Sequence, residues 1–319
     1  MSPIENLVSV VVPAYNVGAH IGEALDSVLA QDYPHIELVV VDDGSQDDTA
    51  AVVAARYPQA TLIRKANGGA ATARNAGMRA ARGEFVAFLD ADDIWLPGKL
   101  SAQVAHFRAH PGVGMNCTGF AQWVSDEAGR FPDPLTVAAE QADIAADALD
   151  AALSGWVYHK LLLRNFVWTT TVMMRRTLID AVGLYDESFR LGQDYEYFLR
   201  ASRATEIHRL ARAYALYRQH PGSATARGID YNYAARIILK ARADWGLASP
   251  DGAAITAREF QARLHKIHFM CGYRFYQRGN AVTAFREFRQ AVRQHPLHLK
   301  SWAYAAMAGL ACLKPSARG

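Results

Sequence analysis

The stretch Phe85-Val86-Ala87-Phe88-Leu89-Asp90-Ala91-Asp92-Asp93 constrains the fold of this chain more than any other. A wholly apolar run ends on three carboxylates within four residues. Its shortness and its aromatic and branched side chains mark a buried strand of a parallel sheet, not a helix. Side chains alternate along a strand, so Asp90 and Asp92 are expected on one side of its carboxyl end. In open α/β sheets ligands bind at that edge. Two hard oxygen ligands there suit Mg²⁺ or Mn²⁺, with phosphate oxygens or water completing the shell. A polar turn that merely closes the strand accounts for the same residues.

The neighbouring segments repeat the pattern. Leu7 to Val12 and Ile36 to Val41 read as buried strands, Ala60 to Ile63 as a third, and Phe85 to Leu89 as the fourth. Helices are expected near His20 to Gln31, over Thr49 to Arg56 and over Ala70 to Ala81, with Pro97 opening another. This rhythm predicts an α/β fold: a Rossmann-like, mostly parallel sheet with helices on both faces. Further on, Gly119 to Val124, Thr169 to Met174 and His208 to Tyr217 read as strands. Ala138 to Leu153 and a segment from Asp194 to about Ala204 read as helices. After His220-Pro221-Gly222-Ser223 the composition changes, and four helices are expected between Tyr231 and Leu313. The division is therefore residues 1–222 and an all-helical 223–319.

The length of 319 residues, 51% of them apolar and 20% charged, admits one large domain plus a smaller one. Cys117, Cys271 and Cys312 are too dispersed for a metal motif and fit a reduced, cytoplasmic setting. No secretory signal and no membrane-spanning run is visible. The net charge of +3 is unevenly spread: residues 258–319 carry eleven Lys/Arg against two Asp/Glu. A basic tail suits an anionic surface, and a solvated helical face explains it equally. Peripheral membrane contact through this tail is the expected partner reading, with no nucleic acid. Gly272, Tyr276, Ala284, Phe288, Ala291 and Pro296 also fall at the spacing of one tetratricopeptide-like hairpin.

Three further groups carry chemistry. Pro13-Ala14-Tyr15-Asn16 follows the first strand and Asp42-Asp43-Gly44-Ser45 the second. There Tyr15 can stack on a nucleobase while Asp43 accepts its imide or amide hydrogen, although packing by Tyr15 and capping of the helix near Thr49 by Asp42 or Asp47 account for the same residues. No P-loop or Gly-x-Gly-x-x-Gly turn is present to neutralise a diphosphate, so a cation on Asp90 and Asp92 is expected to do so. In Gly192-Gln193-Asp194-Tyr195, Asp194 suits either a helix cap or a general base, since an aspartate is ionised at neutral pH. Arg218 and His220 end a strand, placed to contact phosphate or metal.

In order and spacing these pieces resemble family 2 glycosyltransferases of the GT-A fold. The resemblance rests on Val8 to Asn16, Val41 to Thr49, Asn67-Gly68-Gly69-Ala70 through Gly77, Arg82 to Phe85, Leu89 to Asp93 and Gln193 to Glu196, and it covers residues 7 to about 220. It implies that Pro13, Tyr15, Asn16, Asp43, Lys65, Gly69, Arg74, Asp90 and Ala91 form the nucleotide site. It implies Asp92 as the main metal ligand, with Asp90 and His220, and Asp194 as the base of an inverting transfer. The position before that base, often acidic in the family, is Gln193 here. Trp168, Thr169 and Arg218 are expected on the acceptor side, with Trp156, Tyr158, His159 and Asn165 as further candidates.

The expected enzyme moves a hexose from a nucleotide diphosphate donor, a UDP-sugar, to a hydroxyl of a glycan or lipid-linked acceptor. It would use Mn²⁺ or Mg²⁺ and serve cell-surface polysaccharide synthesis at the inner face of the membrane. A nucleotidyltransferase and a non-catalytic nucleotide-binding scaffold are the alternatives.

Overall fold

Apolar runs become strands wherever both faces can be covered. In the computed structural model, which describes residues 3–219 and 232–313, eight strands form one mixed sheet. They are β1 (Ile4–Ala14), β2 (Ile36–Asp42), β3 (Thr61–Arg64), β4 (Gly83–Phe88), β5 (Ile94–Trp95), β6 (Met115–Trp123), β7 (Met173–Arg175) and β8 (Ile207–Arg218). Their spatial order is β3-β2-β1-β4-β7-β6-β8-β5. The pairs β1–β2, β1–β4, β2–β3 and β6–β8 are parallel, whereas β4–β7, β6–β7 and β5–β8 are antiparallel. The sheet is thus mixed, with β1 to β4 parallel as expected and the short strands β5 and β7 making the antiparallel pairings.

Helices α1 (Gly18–Leu29), α2 (Thr49–Arg56), α3 (Ala70–Ala80) and α4 (Lys99–Ala109) follow the first strands. Alternation along the strands decides which helix covers which face. Val8, Val10 and Val12 pack with Ile21 and Leu25 of α1, Val53 of α2, and Leu100, Val104 and Phe107 of α4. Val39 and Val41 instead meet Ala73, Ala76 and Ala80 of α3. Helix α3 comes unusually close to β1, because a Cβ on Gly77 would stand 2.3 Å from Val11 Cγ1.

Several expectations need correction. Pro97 does not open α4: the helix starts at Lys99, after Gly98 at φ 84°. The helix expected over Ala138 to Leu153 is only α5 (Pro134–Ala139), followed by turns. None of residues 138–153 is buried, so no packed face holds a longer helix together. Thr169–Thr171 is a 3₁₀ turn rather than strand, pinned where Trp95 Nε1 donates to the Thr170 carbonyl (2.7 Å) and Gln103 Nε2 to that of Thr171 (2.9 Å). Most consequential, β4 stops at Phe88, and Asp93 N–H donates to the Asp90 carbonyl at 2.9 Å. The carboxylates therefore sit on a turn, and strand alternation does not set their directions.

Helices α7 (Arg176–Val182) and α8 (Gln193–Ala204) complete the sheet half, and the short α6 (Tyr158–Leu163) precedes them in the chain. The chain forms two compact units, with His159–Arg164 counted with the C-terminal helices and Tyr158 with the sheet. The expected boundary at 222/223 lies outside the described residues. The helical unit comprises α9 (Tyr233–Trp245), α10 (Ala257–Gln277), α11 (Ala281–Gln294) and α12 (Leu299–Leu313). Its core joins Phe275, Ala284, Phe288, Ala305 and Ala308. Among the described residues no helix is long and apolar enough to cross a membrane.

Candidate active site

The loops after β1 and β2 are laced together by short polar side chains. Asn16, in the left-handed region at φ 53°, donates its N–H to Ser45 Oγ (3.0 Å) and accepts the Gln46 N–H on Oδ1 (2.8 Å). Val17 N–H donates to Thr49 Oγ1 and Gly18 N–H to Asp47 Oδ2. Asn16 is thus a scaffold of the nucleotide side. Tyr15 beside it keeps 37% of its surface exposed, enough to offer a ring face.

Asp43 is buried, and its carboxylate accepts the N–H groups of Gly68 (3.1 Å) and Gly69 (2.7 Å) and the Lys65 ammonium. Lys65 also reaches the Ala66 carbonyl and Thr72 Oγ1. Gly69 precedes α3 at φ 92°, a conformation glycine adopts without strain. The predicted residues Asp43, Lys65 and Gly69 therefore converge on one carboxylate, and Pro13 pairs in register with Val41 next to them.

Arg74, on α3, is buried and donates from Nη2 to Asp90 Oδ1 at 2.6 Å. Burial alone would depress this guanidinium, but Asp90, then Tyr185 and Asp194, raise it instead, so it stays charged. Burial raises Asp90 above the usual carboxylate range; Arg74 pulls it down, and Asp92 and Asp194 push it up. Asp93 is held well above that range by burial and by Asp90 and Asp92. Ala91, expected to touch nucleotide, packs into the core below the turn.

Arg218 locks this turn from behind. Its N–H donates to Asp93 Oδ1 (3.0 Å) and its Nε to the Asp92 carbonyl (2.8 Å), while Nη2 pairs with Glu23. The guanidinium lies 4.2 Å from the Trp123 ring centroid. So placed, Arg218 supports the turn and borders a 620 Å³ cavity against α1 and Phe131. His220 lies outside the described residues.

Asp194 occupies the first turn of α8, with Gly192 as the capping position and no side-chain cap. Its carboxylate still serves the helix start, where it takes one of the otherwise unpaired first-turn N–H groups. Asp194 is half-buried, accepts the Tyr195 N–H at 2.8 Å and lies 3.5 Å from Thr169 Oγ1. Gln193 beside it is buried, and its Oε1 has no hydrogen-bond partner. Next to Thr169, the expected Trp168 packs with Phe120 (centroids 5.0 Å) and Tyr217 (4.8 Å), two partners that the sequence did not single out. The three residues are scattered along the chain, and only the sheet order brings them together.

The other acceptor candidates are placed elsewhere. Tyr158 is fully buried under Arg203, and Asn165 Oδ1 accepts the Val167 N–H. His159 belongs to the helical unit, where its ring bonds Ser249 Oγ at 2.7 Å. Trp156 is half-buried.

Residues 9–128 match the family described as Glycosyl transferase family 2. EpsJ of Bacillus subtilis strain 168, an uncharacterized glycosyltransferase, is 30% identical over 224 residues, covering 69% of this chain and 63% of EpsJ. The chain spans about 60% of the length of the curated relatives it matches. In fold it is similar to S. aureus TarS in complex with UDP-GlcNAc, with a TM-score of 0.64 at 20% identity over 95% of this chain and 89% of that one. A second fold neighbour is the mannosyltransferase PcManGT from Pyrobaculum calidifontis in complex with GDP-Man and Mn²⁺, with a TM-score of 0.50 at 21% identity over 97% of this chain and 81% of the other. The matched sequence and the shared architecture make this chain a member of glycosyl transferase family 2, built on the GT-A fold.

Proposed function

We propose that the chain is a metal-dependent, inverting hexosyltransferase that takes its sugar from a nucleotide diphosphate donor, a UDP-sugar. One observation carries the reading: Asp90 lies within electrostatic reach of two further carboxylates, Asp92 and Asp194, as well as of the buried Arg74 guanidinium. Such an excess of carboxylate favours a further cation, and its all-oxygen donor set fits Mn²⁺ or Mg²⁺. Asp92 and Asp90 would hold that ion, which when bound offsets the charge of a departing diphosphate. The two fold neighbours support a nucleotide-sugar donor, since one carries UDP-GlcNAc and the other GDP-Man with Mn²⁺.

The rest falls to the chain's own side chains. Tyr15 stacks on the base, and Asp43, fixed by Lys65, Gly68 and Gly69, is the carboxylate that meets the base's imide or amide hydrogen, in exchange for the shared Gly68 contact. Trp168, with Phe120 and Tyr217, forms an apolar wall for the acceptor. Asp194 takes the proton of the acceptor hydroxyl as that oxygen bonds to the anomeric carbon. The bond from carbon to diphosphate oxygen breaks, and the nucleoside diphosphate leaves. The acceptor is a glycan or lipid-linked hydroxyl in cell-surface polysaccharide synthesis. The basic α10–α12 helices, with Trp302, Leu310 and Leu313 exposed, provide peripheral contact with the inner membrane face.

The test is release of nucleoside diphosphate from a panel of UDP-, GDP- and dTDP-sugars, with Mn²⁺ or with chelator. Chelator should stop the reaction, and Asp194→Asn should lower turnover by about 10²–10⁴-fold with nucleotide binding kept. Undiminished turnover in that variant, or indifference to chelator, removes the proposed roles.

A further inference from the structure

At the far end of the sheet from this site, three histidines meet. His106 ends α4, His110 follows it one turn later, and His208 stands at the start of β8. One ring nitrogen from each lies within 4.8 Å of the other two. His106 and His208 are buried, whereas His110 is exposed and leaves the group open to solvent. We infer that His106, His110 and His208 form a transition-metal site, distinct from the carboxylate rim, that takes Zn²⁺ and ties α4 to β8.

The hydrogen bonds around the rings argue for this. His110 Nδ1 lies 3.0 Å from the His106 carbonyl, which only accepts, so Nδ1 carries the proton and Nε2 keeps its lone pair. His208 Nε2 lies 2.9 Å from the Glu206 carboxylate, so it is protonated and its Nδ1 lone pair points at His106 Nε2, 2.9 Å away. A carbonyl and a carboxylate thus fix two tautomers, the arrangement that outer partners impose on metal-ligating histidines. His106 Nε2 carries the one proton between the rings, and metal replaces it when that ring shifts its proton to Nδ1. Burial first, then His110 and His208, push His106 down to about 4. Asp147 also faces His106 and opposes that shift.

Imidazole nitrogens select zinc, copper or nickel over the oxygen-seeking Mg²⁺ and Mn²⁺. Tetrahedral Zn–N bonds of about 2.0–2.1 Å need nitrogens roughly 3.4 Å apart, so His106 Nε2 and His208 Nδ1, now 2.9 Å apart, must spread while His110 moves to complete the set, with water or Asp147 as fourth ligand. Ten residues of β8 separate His208 from Arg218. At about 3.3 Å per residue this puts roughly 30 Å between the zinc site and the carboxylate turn.

Untagged full-length protein should be titrated with Co²⁺, reading the visible bands of tetrahedral cobalt, and then with competing Zn²⁺. One equivalent should bind with tetrahedral bands. His110→Ala, an exposed change that keeps the fold, and His208→Asn should each weaken binding at least tenfold, and Glu206→Gln by about 10–100-fold. Asp92→Ala at the rim should bind normally. So should His298→Ala, which alters the separate His265, His295 and His298 group of the helical unit. Native affinity in His110→Ala and His208→Asn, or loss confined to either control, overturns the inference.

Discussion

Arg74 and Asp90 are joined by a 2.6 Å hydrogen bond in which the arginine side chain is 7% exposed and the carboxylate 28%. The guanidinium is only partly satisfied among the described residues, where Nε and Nη1 are buried without a hydrogen-bond partner. Its fit comes instead from charge, with Asp90, Tyr185 and Asp194 all raising it against burial. Arg74 is best understood as the fixed cation that lets several carboxylates share one turn.

Replacing Arg74 by Met should therefore act through Asp90. Breaking one side of a buried pair costs about 3–5 kcal/mol. The Asp90 carboxyl, already raised in the fold, then rises further above its unfolded value. A group raised in the folded state binds its proton more tightly there than in the unfolded chain, so stability falls as pH rises. The loss should accordingly be larger at neutral pH than in mild acid, as urea titrations at several pH values would measure. Calorimetry should show the pH midpoint of Mn²⁺ binding moving upward, because the proton competes for the same oxygens. A loss that is flat across pH would detach Arg74 from Asp90.

Gly77 tests how α3 sets that pair. In an ordinary helix interior Gly→Ala stabilises by about 0.5–1 kcal/mol. Here the new Cβ would stand 2.3 Å from Val11 Cγ1 and 3.2 Å from Cγ2. Val11 is fully buried in a central strand and has little room to yield. Overpacking of this kind costs about 1–3 kcal/mol, so the sign reverses and Gly77→Ala should lower the thermal midpoint. Arg74 lies three residues earlier on the same helical face, and nucleotide binding should weaken along with stability.

These dependencies show which parts of the molecule the sequence makes legible. Strands β1, β2 and β4 are read directly, because burial on both faces demands unbroken apolar runs such as Val8–Val12 and Phe85–Leu89. Strands β5 and β7 span two and three residues, and distant partners alone make them strands. The Ala-rich stretch after α5 mimics helical composition, yet Asp150 spends its carboxylate on the Leu153 N–H and on Arg209, and no apolar stripe exists to pack. The residue types at the rim were legible; their directions were not. Asp90–Asp93 is a turn, and Arg218 holds it through a backbone N–H and a carbonyl, contacts that leave no trace in residue identity.

A last prediction concerns Lys99, the first residue of α4. It is fully buried, 3.9 Å from the Trp95 ring centroid, and donates to Gln103 Oε1 at 2.6 Å. Gln103 in turn donates to Asn116 Oδ1 and to the Thr171 carbonyl, next to the turn that carries Thr169. Burial pulls the ammonium well below its usual range, with only a small opposing contribution from Cys117. With its pKa depressed in the fold, the unfolded chain binds the extra proton, so this residue's contribution to stability improves as pH rises toward the unfolded lysine value. Lys99→Met removes that dependence while filling the same space. It leaves Gln103 Oε1 without its donor, at about 1–3 kcal/mol, a cost that does not vary with pH. The difference in unfolding free energy between Lys99→Met and the native chain should therefore shift in favour of the variant as pH falls from alkaline to neutral. The slope should not exceed about 1.4 kcal/mol per pH unit. Denaturant titrations across that interval measure it, and parallel curves would mean that Lys99 keeps its ordinary affinity for the proton despite its burial.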